Sequence, residues 1–319
     1  MNKLTFLSQH SLTPRLLTTT TVIAWIGVAS TAVYGQGFVA LPSTGFQLER
    51  GVSAYTLCNE TGRFSSTGPA KPIAPTETAH NACALFPANE LRAPARGFSL
   101  VTHAVREAIV NNSHTGGADR KIANVTDFVW RNAEQTECIY GAKVVTLLGK
   151  DADQDPTRPG TQYFEINDFV RGGFAGMPVE AAYASHAGSA HPVYRIGRTF
   201  TSVQYRRGNG YGYVKQPPTE PAFEQAINGV ASESDETPAR SEQSASLNDN
   251  WVDFTTRIGL PRYPASAMFY VKTTCSAEAP QTVPDAIRLR QTTAPFTEVS
   301  LPGFVPPGGI VMPLLGSPL

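Results

Sequence analysis

The chain has 319 residues, enough for one large all-β domain or two smaller ones with a sizeable core. Its 26 basic residues balance its 26 acidic ones, so no global field would draw it to nucleic acid or to an anionic membrane. Charged residues are only 16% of the chain, and beside 25 prolines and 27 glycines this argues for many turns and few long surface helices.

At the N-terminus, Lys3 and Arg15 precede an uncharged stretch over residues 21–35, and no acidic residue comes before Glu49. This is the order of a secretory signal, with small residues at Ala32 and Gly35 where cleavage can fall. Fifteen helical residues span roughly 22 Å, short of the ~30 Å hydrocarbon core, so a removed signal over 1–35 fits better than a retained anchor. The expected destination is secreted, periplasmic or cell-surface, with no transmembrane span once the signal is gone. All four cysteines, Cys58, Cys83, Cys138 and Cys275, follow it. In an oxidising compartment an even count reads as two disulfides, with three connectivities open. The preferred pairing is Cys58–Cys83, closing a Pro-rich excursion, and Cys138–Cys275, bridging two packed sheets.

Residues 36–120 read as an irregular, Pro-rich layer packed on the main domain. Within it, 54–58 resembles a short strand. Residues 100–111 are the one short helix expected, because Val101, Val105, Ala108 and Ile109 fall near one helical face. From 121 onward β-branched and aromatic residues dominate, predicting strands over 122–132, 138–148, 163–174, 179–185, 193–206, 251–258, 267–275 and 287–292. In 251–258, Val252, Phe254 and Ile258 share one face, while Trp251, Asp253 and Arg257 share the other. The fold class expected is all-β: an antiparallel, jelly-roll-like β-sandwich over 121–300.

Gly208-Asn209-Gly210 predicts a hairpin between Arg207 and Tyr211, since Asn-Gly favours a type I′ turn. Residues 231–250 are polar and read as a mobile loop inside the domain. The end, 301–319, holds five prolines and four glycines and reads as an extended apolar tail without regular structure. There is also an internal echo: Val125-Thr-Asp-Phe-Val129 resembles Ile166-Asn-Asp-Phe-Val170, and Val252-Asp-Phe254 shares the Asp-Phe pair. Either a duplicated strand module or convergence of strands that point a Phe inward would produce it.

Chemistry is concentrated in few places. In GKDADQDPTRPG, residues 149–160, the alternating Asp151, Asp153 and Asp155 are a candidate Ca²⁺ site. Pro156 at the sixth loop position and Gln162 at the twelfth exclude an EF-hand. The competing reading is a hydrophilic turn, with no cofactor at all. Tyr205, Tyr211 and Tyr213 with Arg206 form a candidate ligand surface, since tyrosines stack on sugars and arginine pairs with carboxylates or sulfates. A glycan or a cell-surface protein is the partner this suggests. His186 and His191 are a weak metal pair.

No nucleophile elbow, zinc-protease helix or phosphate loop is present in the sequence. The leading expectation is an exported, disulfide-bonded protein with a binding or structural role outside the cytoplasm, not an enzyme. A second is a glycan-directed hydrolase using Glu165, Asp168 or Asp253. A third is self-association through the apolar tail. A cleft holding two acids within ~10 Å, one with a raised pKa, would mark the hydrolase.

Overall fold

The computed structural model describes residues 37–47, 52–58, 83–184, 190–191, 193, 195–200, 205–207, 211–213, 247–259, 261, 263–291 and 297–312. In chain order the first strands are β1 (Val39–Ala40), β2 (Phe46–Gln47), β3 (Val52–Ser53) and β4 (Tyr55–Leu57). Then come β5 (Phe98–Val110), β6 (Arg120–Asn132), β7 (Glu137–Thr146), β8 (Ile166–Gly172) and β9 (Val179–Ala184). Next are β10 (Ala190–His191), β11 (Arg195–Gly197), β12 (Tyr205–Arg207), β13 (Tyr211–Tyr213) and β14 (Trp251–Ile258). The last are β15 (Ala265–Ser266), β16 (Met268–Thr274), β17 (Gln281–Gln291) and β18 (Thr297–Val305). A single 3₁₀ turn, Lys150–Ala152, is the only helical element among the described residues. No helix there is long and apolar enough to cross a membrane.

Two antiparallel sheets pack as a β-sandwich. One is eight-stranded, running β1-β9-β16-β7-β15-β10, with β6 on β7 and β5 on β6. Among the described residues its one parallel strand pair is the short β10–β15, beside an isolated parallel bridge from Ala84 to Tyr183 of β9. The other is six-stranded, in the order β18-β17-β8-β14-β11-β4. Between them Phe269 of β16 stacks on Phe169 of β8 at 4.7 Å and lies 5.1 Å from Phe254 of β14. Burying each of these rings contributes about 2–3 kcal/mol, and truncating one to alanine costs more because a cavity remains.

Both sheets are also covered over part of their outer faces. Outside the eight-stranded sheet, Phe128, Trp130, Ile139, Met268 and Tyr270 form a second apolar cluster. Leu85, Ala93 and Ala95 of the irregular segment pack over it. Trp130 lies flat enough to need a glycine on the next strand: a Cβ on Gly141 would sit 2.4 Å from its ring. Burial on both faces explains why β8 is buried at every position, which simple alternation does not anticipate.

Three expectations are corrected. Residues 100–111 are not a helix; they form most of β5, hydrogen-bonded to β6. The tail is not irregular from 301, because Leu301–Val305 complete β18 against β17. Pro302 is tolerated there because β18 is an edge strand. Cys138–Cys275 forms, but it joins neighbouring strands of one sheet, since β16 pairs with β7 at Thr273↔Cys138. Cys58–Cys83 forms as well.

The Asp-Phe echo has no common geometry. In β6, Asp127 points between the sheets and Phe128 outward; in β8 and β14, Phe169 and Phe254 point inward and the aspartates outward. Opposite facing argues for convergence, not duplication. The polar stretch 231–250 enters the described residues only at its end. There Asn250 is buried, accepts from Gly173 N and Met312 N, and donates to the Ile310 carbonyl.

Candidate functional site

Among the described residues, a buried gathering of ionisable groups lies on the outer face of the six-stranded sheet. β-Register builds it. Arg290 of β17 stands beside Asp168 of β8, and Asp253 of β14 lies one step along on the next strand. Tyr55 of β4 is opposite Gly197 of β11, which is opposite Asp253. Because Gly197 has no side chain, the Tyr55 ring crosses it; a Cβ there would come within 2.7 Å of the ring. The Tyr55 hydroxyl then donates to Asp253 Oδ2 at 2.8 Å. Arg290 Nη2 donates to the same oxygen at 3.0 Å, and its other nitrogen reaches the Phe200 carbonyl. Phe200 also lies under the guanidinium at 4.5 Å and against Trp251 at 4.9 Å.

Asp168, Asp253 and Arg290 are wholly buried. Burial raises the Asp253 pKa well above the ordinary carboxylate range, and the neighbouring Asp168 charge raises it further. Arg290 and the Tyr55 hydrogen bond oppose this, while a hydrogen bond to Asp168 adds to it. Burial and the neighbouring Asp168 together therefore favour the protonated form of Asp253. Burial works against the Arg290 charge, but Asp253 and Asp168 outweigh it and hold its pKa up. Tyr55 is pushed well up by burial, then by Asp253 and Asp168. A proton on Asp253 leaves the Asp168 carboxylate facing one guanidinium, which brings the unit close to neutrality.

A second cluster sits between the sheets. Arg171 Nη2 donates to Asp127 Oδ1 at 2.5 Å, and Phe304 N donates to Oδ2 at 2.7 Å. Arg106 Nε adds an ion pair at 3.5 Å, and the Arg171 guanidinium lies 5.4 Å from the Tyr140 ring centre.

Of the acids singled out from sequence, Asp168 and Asp253 meet; Glu165 instead accepts from Arg257 Nε at 3.0 Å and Asn167 Nδ2 at 2.9 Å. The aspartate loop is organised by its own hydrogen bonds. Asp153 Oδ1 accepts from Asp155 N at 3.1 Å and Gln162 N at 3.0 Å. Asp155 Oδ1 accepts from Thr157, both backbone and hydroxyl, while Asp151 is exposed. Among the described residues no group of three or more His, Cys, Asp or Glu side chains could hold a metal ion. Tyr205 pairs with Tyr213, Arg206 with Gly212 and Arg207 with Tyr211 as backbone partners of a hairpin. The turn residues 208–210, and the side chains of this hairpin, lie outside the described residues, as does His186.

Sequence reasoning missed Tyr55, Arg290, Asp127 and Arg171. A signal existed for Arg290: in Ile287-Arg-Leu-Arg290 the arginines alternate with core residues, so they share one face of the strand. No family model, no curated protein and no solved structure matches the chain.

Proposed function

We propose that this is an exported, disulfide-bonded β-sandwich that binds or builds outside the cytoplasm and does not catalyse. The observation that carries this reading is the closure of the Asp168–Asp253 cluster: both carboxyls are wholly buried, and Asp253 accepts from Tyr55 and Arg290. An acid–base catalyst must reach its substrate's proton, directly or through one water. Glycosidase carboxyls also line a cleft open enough to admit a sugar or water, whereas these two are wholly buried. The disulfides fit an oxidising compartment, and a glycan or cell-surface protein at the 205–213 hairpin is the partner class its tyrosines suit.

A glycan-directed hydrolase is the second reading, and the raised pKa of Asp253 is the observation in its favour. The two separate in one experiment. The chain, secreted from an exporting host, is first assayed for a new N-terminus after Ala32 or Gly35 and for the absence of free thiols. It is then incubated with a panel of glycans and cell-wall fragments. Retention without cleavage products is expected. Products that vanish in Asp168→Asn would establish the hydrolase, and a cytoplasmic chain with four free thiols would sink export.

A further inference from the structure

Among the described residues β5 has a strand on one side only. It is thirteen residues long, about 40 Å at ~3.3 Å per residue, and its outer edge bears a row of backbone N–H and C=O groups. Long exposed edges are templates for another strand, and natural ones are blunted by proline, lysine, bulges or a cover. β5 contains neither proline nor lysine. It does have two bulges against β6, between Leu100 and Thr102 and between Ala108 and Ile109. They leave an unbroken seven-residue run, Thr102 to Ala108, whose centre is Val105.

The side chains on the outer face of that run and at its ends are Val101, His103, Val105, Glu107 and Ile109, and all are exposed, Val105 at 64%. His103 stacks on Phe128 and Glu107 reaches Lys121, which fixes both on this face. If two copies join edge to edge about a twofold axis, outer residues must meet outer residues. With the axis at Val105, Val105 meets its own copy, His103 meets Glu107, and Val101 meets Ile109. On the inner side Thr102 meets Ala108 and Ala104 meets Arg106. Every pair is then apolar with apolar, imidazole with carboxylate, or neutral with charged. Moving the axis to His103 or Glu107 sets like groups against each other, and intermediate registers set valine against His103 or Glu107. Cross-strand pairs of this kind are what fix register in a sheet.

We propose that β5 is a homodimer interface, two copies adding antiparallel through the Val105-centred register to form one continuous sheet. The partner is a second copy of this chain, and the proposal stands apart from export or glycan binding. It also differs from assembly through the tail, since residues 306–312 lie along their own chain, with Asn250 holding Ile310 and Met312.

The test is a single cysteine. All four native cysteines are in disulfides, so Val105→Cys supplies the one free thiol. Opposite residues of an antiparallel pair have Cα atoms about 4.5–5.5 Å apart, within disulfide range. Under mild oxidation Val105→Cys is expected to give a covalent dimer, at least about tenfold faster than Val101→Cys or Ile109→Cys. In sedimentation the wild type is expected to be a dimer. Val105→Lys should be monomeric, with a melting temperature equal to that of the wild type at dilutions where the wild type is also monomeric, because that side chain is exposed in the monomer. His103→Glu should weaken the dimer about tenfold, and His103→Glu with Glu107→His should restore it. A wild-type monomer at about 100 µM would overturn the proposal. So would a dimer that survives Val105→Lys, or one lost on removing residues 313–319 alone.

Discussion

Strand β8 carries Arg171 on its inner face and Asp168 on its outer face, three residues apart, and the two clusters they join are built with opposite charge ratios. Inside, one carboxylate, Asp127, meets two guanidiniums and a backbone N–H. Outside, two carboxyls meet one guanidinium and one phenol. Removing charge from water costs several kcal/mol per ion, so each cluster must reach near-neutrality. The inner one pairs Arg171 with Asp127 and leaves Arg106, which reaches solvent, as an extra cation, while the Gly141 and Phe304 carbonyls accept from Arg171. The outer one needs a proton. The lesson is that burial alone does not set a cluster's response to pH; the ratio of partners does.

The largest expected effect breaks the inner cluster. Asp127→Asn keeps the shape but leaves Arg171 buried without its counter-ion, and should cost about 3–5 kcal/mol by denaturant titration. Replacing both partners, Asp127→Leu with Arg171→Met, should cost less than the single change, because no uncompensated charge remains. A double variant worse than Asp127→Asn would mean the carbonyl and N–H bonds matter more than the charges.

The outer cluster should show itself through pH. Its folded form holds a proton that the unfolded chain releases above about pH 4. Folded protein then binds more protons than unfolded, so this cluster's contribution to stability falls as pH rises above that point. This is the reverse of the usual carboxylate, whose pairing is lost on acidification. Asp168→Asn removes the like charge and should flatten the slope, gaining about 1–2 kcal/mol near pH 8 and little near pH 5. An unchanged slope would show that Asp168 does not raise the Asp253 pKa. A smaller change is expected from Tyr55→Phe, about 1–2 kcal/mol, as one donor to Asp253 Oδ2 is lost. Hydrogen exchange should then quicken at β4, which Tyr55 ties down.

These contrasts explain what the residues alone disclosed. The alternation in 251–258 predicted β14 at its true bounds and the facing of Val252 and Phe254. It could not reveal that Asp253 faces a second buried layer, because that depends on Phe200 and the chain end folding over the sheet. The helical reading of 100–111 failed for a geometric reason. Positions i, i+4 and i+8, here Val101, Val105 and Ile109, share a face in a strand as they do in a helix. His103 and Glu107, spaced between them on the same strand face, carried the period of two. Spacing left three disulfide connectivities open and the preferred one formed, but the residues did not disclose that Cys138 and Cys275 join neighbouring strands of one sheet, since register fixes that.

The aspartate loop gives the smallest effect and the scale against which the buried clusters are read. Asp153 lies at intermediate exposure, and its carboxylate caps two backbone N–H groups, of Asp155 and Gln162, at the two ends of the loop. Asp153→Ala should therefore cost about 1 kcal/mol, the usual worth of a capping carboxylate in water. Because the donors are the loop's own amides, the loss should be the same in EDTA and in millimolar Ca²⁺. A melting temperature that rises with Ca²⁺ in the wild type and not in Asp153→Ala would instead mean that the three aspartates turn toward a cation when one is offered. Asp151→Ala separates these outcomes further. Asp151 is exposed in the loop, so its loss should leave stability within about 0.5 kcal/mol unless a cation is bound there.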